Sequence, residues 1–139
     1  AARDYGEEVC IYDCGTALTI DVLIQGRHQG GLIFPGSRLL QRSLWQGAQA
    51  IPTDLAPAMP IEPALANNTA QCVANGSVFA LLAIIRQFAD QAGQRPAGQQ
   101  AVHLLCGGEA ERLLPWLDQR FLHRPHLVLQ GLATIAMAQ

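Results

Sequence analysis

Three short apolar segments joined by glycine turns constrain the fold more than any other feature of this sequence. They run from Glu8 to Asp13, from Thr16 to Ile24 and from Arg27 to Phe34, and each has the β-branched pattern of a strand. Cys14-Gly15 and Gln25-Gly26 are turn signals between them. Connections this short allow only antiparallel pairing, so we predict a three-stranded meander.

The rest of the sequence predicts helices alternating with strands. Ser37 can cap a helix to about Trp45, and apolar residues at helical spacing predict the longest helix over roughly Thr69–Ala92. Between them, the prolines from Gly47 to Ala66 predict an irregular loop. The remaining predicted elements are a strand at Ala101–Cys106, a helix at about Glu109–Phe121, a strand at His126–Leu129 and a helix from about Leu132.

We write the predicted order as β-β-β-α-β-α-β-α. Three antiparallel strands followed by alternating elements indicate the α/β class, with helices on the faces of a mixed five-stranded sheet. The order resembles one half of the ribonuclease-H-like fold, the actin-like ATPase domain of the acetate and sugar kinase, Hsp70 and actin superfamily. Fold order alone says little about chemistry.

Composition excludes several classes of protein. Half of the residues are hydrophobic and 14% are charged, which is typical of a globular domain. The net charge of -2 offers no basic field for nucleic acid, and the absence of lysine excludes a Walker-type phosphate loop within these residues. The longest apolar run, Val78–Ile85, is too short to cross a bilayer. With no signal peptide visible, we expect a soluble, cytoplasmic protein without a membrane partner.

The cysteines and histidines predict no metal cluster. Cys10, Cys14, Cys72 and Cys106 are dispersed in or beside apolar stretches, so we predict buried free thiols in a reducing compartment. His123 and His126 are separated by a proline and have no further ligands at metal spacing.

The segment from Asp13 to Asp21 is the most informative for chemistry. It places an acid at the end of one strand, Gly15 in the turn and Thr16 at the start of the next strand. Turn amides and a threonine hydroxyl can donate to phosphate oxygens, and the acid can act on a phosphate through a shared cation. The alternative is an ordinary hairpin turn whose Asp and Thr bond to local backbone.

Three later segments each allow two interpretations. Gly30-Gly31 is either a site of close approach for a substrate or a β-bulge. Asn68-Thr69 is either a helix cap or a helix N-terminus that points Thr69 at a polar substrate. Gly107-Gly108 either opens space for a flat ring beside a phosphate-binding helix N-terminus or is a tight turn.

Taken in order, these motifs closely resemble type III pantothenate kinases over essentially the whole chain. The motifs are Asp13-x-Gly15-Thr16-Ala17-x-Thr19-x-Asp21, Gly30-Gly31-x-Ile33-x-Pro35-Gly36, Asn68-Thr69, Gly107-Gly108 and Leu127-Val128-Leu129-x-Gly131-Leu132. The resemblance implies ATP-dependent phosphorylation of pantothenate to 4'-phosphopantothenate, the entry step of coenzyme A biosynthesis. It also implies a homodimer that needs potassium or ammonium, with magnesium accompanying ATP.

The resemblance also implies a role for individual residues. Asp13 would hold the monovalent cation, and Gly15 and Thr16 would contact ATP. Gly107 and Gly108 would lie near the adenosine, and Thr69 would contact pantothenate across the dimer interface.

Two motifs of the resembled family are missing from this sequence. We find neither its Asp-x-Gly-Asn-Thr phosphate loop nor the Gly-x-Asp-Arg motif that carries its catalytic base, and Asp4 is followed by Tyr5 instead of arginine. We therefore expect residues 1–139 to be the C-terminal domain of a two-domain kinase, with no catalytic residue and no activity alone. The alternatives are a non-catalytic regulatory or accessory protein of the same family, or another kinase of the superfamily.

Overall fold

The computed structural model describes residues 5–48, 60–92 and 101–137. Its strands are β1 (Glu8–Cys14), β2 (Ala17–Ile24), β3 (Arg27–Pro35), β4 (Val102–Cys106) and β5 (Phe121–His123). Its helices are α1 (Ser37–Gly47), α2 (Thr69–Ala92), α3 (Ala110–Leu113) and α4 (Leu127–Met137), with a 3-10 turn at Leu114–Trp116. Most of the loop predicted between Gly47 and Ala66 lies outside the described residues.

The strands form one mixed five-stranded sheet, as predicted, in the order β3-β2-β1-β4-β5. β1 pairs antiparallel with β2, and β2 with β3, which confirms the meander. β1 pairs in parallel with β4, and β4 with β5. The order written as β-β-β-α-β-α-β-α omits one helix, because α1 and α2, which were each predicted, both lie between the third and fourth strands.

The last third of the chain differs from the prediction in two places. A strand was predicted at His126–Leu129, but α4 begins at Leu127. The last strand, β5, lies earlier in the sequence, where the buried Phe121 pairs with β4. The helix predicted to reach Phe121 ends at Leu113 and tightens into the 3-10 turn. Pro115 accounts for the early end, because it removes an amide donor and disfavours a continuing helix.

The larger core lies between α2 and one face of the sheet. Val78, Leu81, Leu82 and Ile85 of α2 form one buried cluster with inward-facing residues of β1 and β2 such as Tyr12. By length and composition α2 could cross a membrane, but half of its most apolar window is buried inside the fold. That burial is typical of the core helix of a globular domain.

The second face of the sheet is covered only in part by α4. Leu127 packs against Val9, Leu104 and Cys106 in a smaller buried cluster. The other large apolar residues of α4 are exposed, and they are Val128, Leu129, Leu132, Ile135 and Met137. A helix that is apolar all round normally buries more than one side, so most of this surface has no partner among the described residues.

A buried polar pair lies inside the larger core. The Tyr12 hydroxyl lies 2.9 Å from Nδ1 of His103, and the rings of Phe88 and Phe121 flank Tyr12. Burial lowers the pKa of His103, and the Arg120 charge lowers it further. The pKa of Tyr12 is raised, chiefly by burial. Both groups are therefore held neutral, since burial disfavours the charged form of each.

We expect the free energy of unfolding to fall as the pH is lowered from 7.5 to 5.5. His103 has an ordinary pKa near 6.5 in the unfolded chain and a lower pKa in the folded domain, so the unfolded chain binds more protons in this range. Each unit of pKa lowering corresponds to a loss of up to about 1.4 kcal/mol. Urea unfolding at both pH values measures the loss. A His103→Gln variant should show a smaller loss, and an equal loss in both proteins would contradict this assignment.

Candidate functional site

A cleft of about 490 Å³ opens where the ends of β1 and β4 meet the start of α1. Its lining residues are Gly15, Thr16, Arg38, Leu39, Arg42, Gly108 and Glu109. β1 and β4 are parallel neighbours, with Asp13 opposite Cys106, so the turns that follow them lie at the same edge of the sheet. In α/β sheets, ligands bind outside this carboxyl edge. The structure thus brings together the first and the fourth predicted motifs.

Backbone hydrogen bonds hold the three segments of the cleft in place. The Gly36 amide donates to the Thr16 carbonyl at 2.9 Å, which ties the start of α1 to the β1–β2 turn. The Glu109 amide donates to the Cys14 carbonyl at 2.8 Å, which ties the turn after β4 to the end of β1. The site is therefore a fixed junction of segments that are distant in sequence.

Two glycine turns enclose the carboxylate of Asp13. A Cβ on Gly15 would lie 3.8 Å from Oδ1 of Asp13, and one on Gly107 would lie less than 3.0 Å from it. Gly107 also has a φ of +89°, a conformation that side chains other than glycine rarely adopt. Glycine at these positions leaves a small polar cradle above the carboxylate, which a larger residue at Gly107 would fill.

The Asp13 carboxylate is partly buried and has no hydrogen-bond donor or ion-pair partner among residues 5–48, 60–92 and 101–137. Within those ranges, no group of three or more His, Cys, Asp or Glu side chains could hold a metal ion. A single carboxylate beside a cradle of backbone groups suits a cation that a phosphate ligand also coordinates.

Sequence reasoning missed the contact between Ser37 and Glu109. The Ser37 hydroxyl is buried and lies 2.9 Å and 2.7 Å from the two oxygens of the Glu109 carboxylate. The predicted role of Ser37 as a helix cap was wrong, because the cap position is Gly36 and no side-chain bond caps α1. The polar side chain is used instead to join α1 to the turn after β4.

Arg38 and Arg42 were also missed. They lie four residues apart on α1, so they share one face of the helix, and both line the cleft. Gln41 fixes the orientation of α1, since its side-chain amide donates to the Ser77 hydroxyl of α2 at 3.0 Å. Their positions in the sequence gave no signal, because the cleft-facing side of α1 depends on this tertiary contact.

Thr69 lies apart from this cleft. It is the exposed first residue of α2, and Asn68 caps the helix by accepting a hydrogen bond of 2.9 Å from the Gln71 amide. A second, open cleft of about 710 Å³ adjoins this helix start and is lined in part by Asn67, Asn68 and Gln71. Thr69 is not among the residues that line either cleft.

The glycine pair in β3 has a structural use. Pairing with β2 shifts register between Val22 and Leu23, opposite Gly30, which supports the bulge interpretation. A Cβ on Gly31 would lie 2.7 Å from Oδ1 of Asp21. That carboxylate is occupied locally, since Thr19 donates to it at 3.3 Å and His28 lies 2.8 Å from it.

The cysteines near the cleft are unreactive. Cys14 and Cys106 are buried free thiols and Cys10 is buried, as predicted, whereas Cys72 is exposed, contrary to the prediction. Burial raises the pKa of Cys14 to about 12 and that of Cys106 to about 11, and the nearby Asp13 carboxylate contributes to both shifts. These two thiols stay protonated near neutral pH, which disfavours a nucleophilic role for either of them.

Comparison with known proteins gives one consistent family. The family model described as type III pantothenate kinase matches residues 1–91. A type III pantothenate kinase of Nitrosococcus oceani is 34% identical over 134 residues, covering 96% of this chain and 49% of the relative. One of Halorhodospira halophila is 39% identical over 130 residues, covering 91% and 48%. The chain thus spans about half the length of these curated relatives.

A solved structure shares the fold. It is a Campylobacter jejuni protein described as a conserved Baf family transcriptional activator, with a TM-score of 0.66 and 19% sequence identity. The match covers 95% of this chain and 58% of that protein. At this identity the likeness concerns the arrangement of helices and strands and does not extend to function.

Proposed function

This chain belongs to the type III pantothenate kinase family, and we propose that it forms the C-terminal half of an ATP-dependent kinase that converts pantothenate to 4'-phosphopantothenate in coenzyme A biosynthesis. The observation that carries the proposal is the glycine-walled cleft over Asp13, which suits a phosphate chain with its cation. We propose that the complete enzyme acts in the cytoplasm.

The β1–β2 turn and the turn after β4 would bind the nucleotide. Thr16 is exposed in the cleft and can donate its hydroxyl, while Gly15 and Gly108 present backbone with no Cβ in the way. Gly107 and Gly108 would border the adenosine. ATP supplies the transferred phosphoryl group, and this half of the protein contributes mainly positioning and charge neutralisation, on which phosphoryl transfer depends.

Asp13 would hold a monovalent cation, potassium or ammonium, against the phosphates. Its carboxylate is partly buried beside the cradle and has no partner among the described residues. A cation placed there offsets the repulsion between the carboxylate and the phosphate oxygens. Magnesium would accompany ATP.

Thr69 would contact pantothenate across a homodimer interface. It is exposed at the start of α2, next to the open cleft lined by Asn67 and Asn68. Large apolar side chains are exposed nearby, namely Leu65 and, on α2, Phe79. Exposed apolar residues grouped around a polar cleft are typical of a surface that a second subunit covers.

We further propose that the sheet is a ribonuclease-H-like, actin-like ATPase domain. An antiparallel meander extended by two parallel strands, in the order β3-β2-β1-β4-β5, supports that assignment. In such a two-domain kinase the cleft at the carboxyl edge of this sheet would face the other domain.

A coupled assay with ATP and pantothenate tests the proposal. We expect the complete protein to phosphorylate pantothenate when potassium is present and to lose most of that activity without it. The 139-residue chain alone is expected to bind nucleotide without turnover, because its sequence lacks both the phosphate loop and the catalytic motif of the family. If the complete protein does not phosphorylate pantothenate, the proposed kinase function is refuted. If the isolated chain does phosphorylate it, only the expected inactivity of residues 1–139 is refuted.

A non-catalytic regulatory or accessory role is the second candidate, because residues 1–139 lack the phosphate loop and the catalytic motif of the family. Direct binding to DNA is disfavoured by the net charge of -2. Salt-dependent binding of the complete protein to duplex DNA, with no pantothenate phosphorylation, would favour this second role.

A further inference from the structure

Two arginines on the α1 wall of the cleft have no acidic partner. Neither Arg38 nor Arg42 forms an ion pair with any residue in the described parts of the chain. Glu109, the acid that lines the same cleft, shares the Ser37 hydroxyl hydrogen between its two carboxylate oxygens instead. An uncompensated pair of guanidinium groups lining a concavity attracts anions.

The turns that line the rest of the cleft add one free hydrogen-bond donor, the exposed hydroxyl of Thr16. Gly15 and Gly108 lie beside it, and the Gly15 amide already donates to the Ala17 carbonyl at 3.0 Å. A guanidinium donates to two phosphate oxygens at once, and such charge-assisted bonds are about twice as strong as neutral ones. A polyphosphate in the cleft would therefore be held by the guanidinium groups and by the Thr16 hydroxyl.

We propose that Arg38 and Arg42 bind the phosphate chain of the nucleotide from the α1 side of the cleft. The proposal rests on the proposed kinase function and adds the residues that distinguish a nucleoside triphosphate from a nucleoside. Because the contacts are charged, they act on phosphates and leave the binding of the uncharged base and ribose nearly unchanged.

Glu109 has the opposite effect on the same ligand. Its carboxylate lines the cleft and is anchored by the Ser37 hydroxyl, so it cannot turn away from an incoming phosphate without losing those bonds. Replacing it by glutamine keeps an oxygen to accept the Ser37 bond and removes the negative charge. This variant should strengthen the binding of phosphates, while removal of either arginine should weaken it.

Isothermal titration of the 139-residue chain with tripolyphosphate, ATP and adenosine tests the proposal. Arg38→Ala and Arg42→Ala should each lower the affinity for tripolyphosphate and for ATP about tenfold. Neither change should alter the affinity for adenosine. Arg42→Lys should restore part of the lost affinity. Glu109→Gln should raise the affinity for tripolyphosphate and for ATP about threefold. Arg27→Ala is the matched control, because it removes the same charge from an exposed site at the start of β3, outside the cleft.

The outcomes separate this proposal from the proposed function. If the wild-type chain binds ATP and the arginine variants bind it equally well, or lose no more than Arg27→Ala, the arginine proposal is overturned and the nucleotide site stands. If the wild-type chain binds tripolyphosphate through the arginines but neither ATP nor adenosine, the anion site stands and the nucleotide assignment fails. If the wild-type chain binds none of the three ligands, both are overturned.

Discussion

Replacing Gly107 by alanine is expected to destabilise the domain by about 3 kcal/mol and to abolish nucleotide binding. The new Cβ would meet Oδ1 of Asp13 and the Cys14 carbonyl oxygen at less than 3.0 Å. The backbone φ of +89° adds strain for any residue with a side chain, and such strain alone costs on the order of 1–3 kcal/mol. Relief requires the turn after β4 to move away from β1, which opens the cradle over the carboxylate.

The neighbouring glycine provides a matched control. A Cβ on Gly108 would have no atom within 4 Å, and no positive φ is found there. Gly108→Ala should therefore change the free energy of unfolding by roughly 0.5 kcal/mol or less. Urea unfolding measures both variants, and titration with ATP measures the cleft. Equal stability of the two variants would show that the contact between Gly107 and Asp13 is not as described.

Replacing Asp13 by asparagine should lower the phosphorylation rate of the complete protein at least about 100-fold, as removal of a comparable charge-stabilising group does in other enzymes. Asparagine keeps the shape of the side chain and loses the negative charge that would hold the cation. Stimulation by potassium should disappear together with the rate. Rates measured across a potassium titration test both effects.

Asp21→Asn is the control for that experiment. Asp21 belongs to the same sequence motif, but its carboxylate is engaged by Thr19 and His28 away from the cleft. Its loss should leave the potassium response intact. A normal potassium response in the Asp13→Asn variant would show that the cation lies elsewhere and would remove the assigned role of Asp13.

The parts of the fold that were predictable from sequence are those determined by neighbouring residues. The meander follows from three β-branched runs with glycine turns, and the bounds of α2, Thr69–Ala92, follow from apolar spacing and the Asn68 cap. β5 was misplaced because three residues carry too little periodicity. Its position is fixed by pairing with β4 and by the burial of Phe121, neither of which is a local property.

The candidate site divides in the same way. Its glycine turns and Asp13 could be predicted because a turn is determined by residues that are consecutive in the sequence. The bond between Ser37 and Glu109 joins residues that are 72 positions apart, and no spacing rule reports such a contact. The side of α1 that carries Arg38 and Arg42 toward the cleft depends on Gln41 meeting Ser77 across two helices.

The parallel pairing of β1 with β4 has a consequence for how the domain folds. The meander contains only contacts between near neighbours, whereas the pairing of Asp13 with Cys106 must close a long loop of intervening chain. Closing long loops is slow, because the entropy is lost before the contacts compensate for it. We therefore expect the meander to form early and β4 to join it late, so that a newly made chain has a β-sheet before it has a cleft.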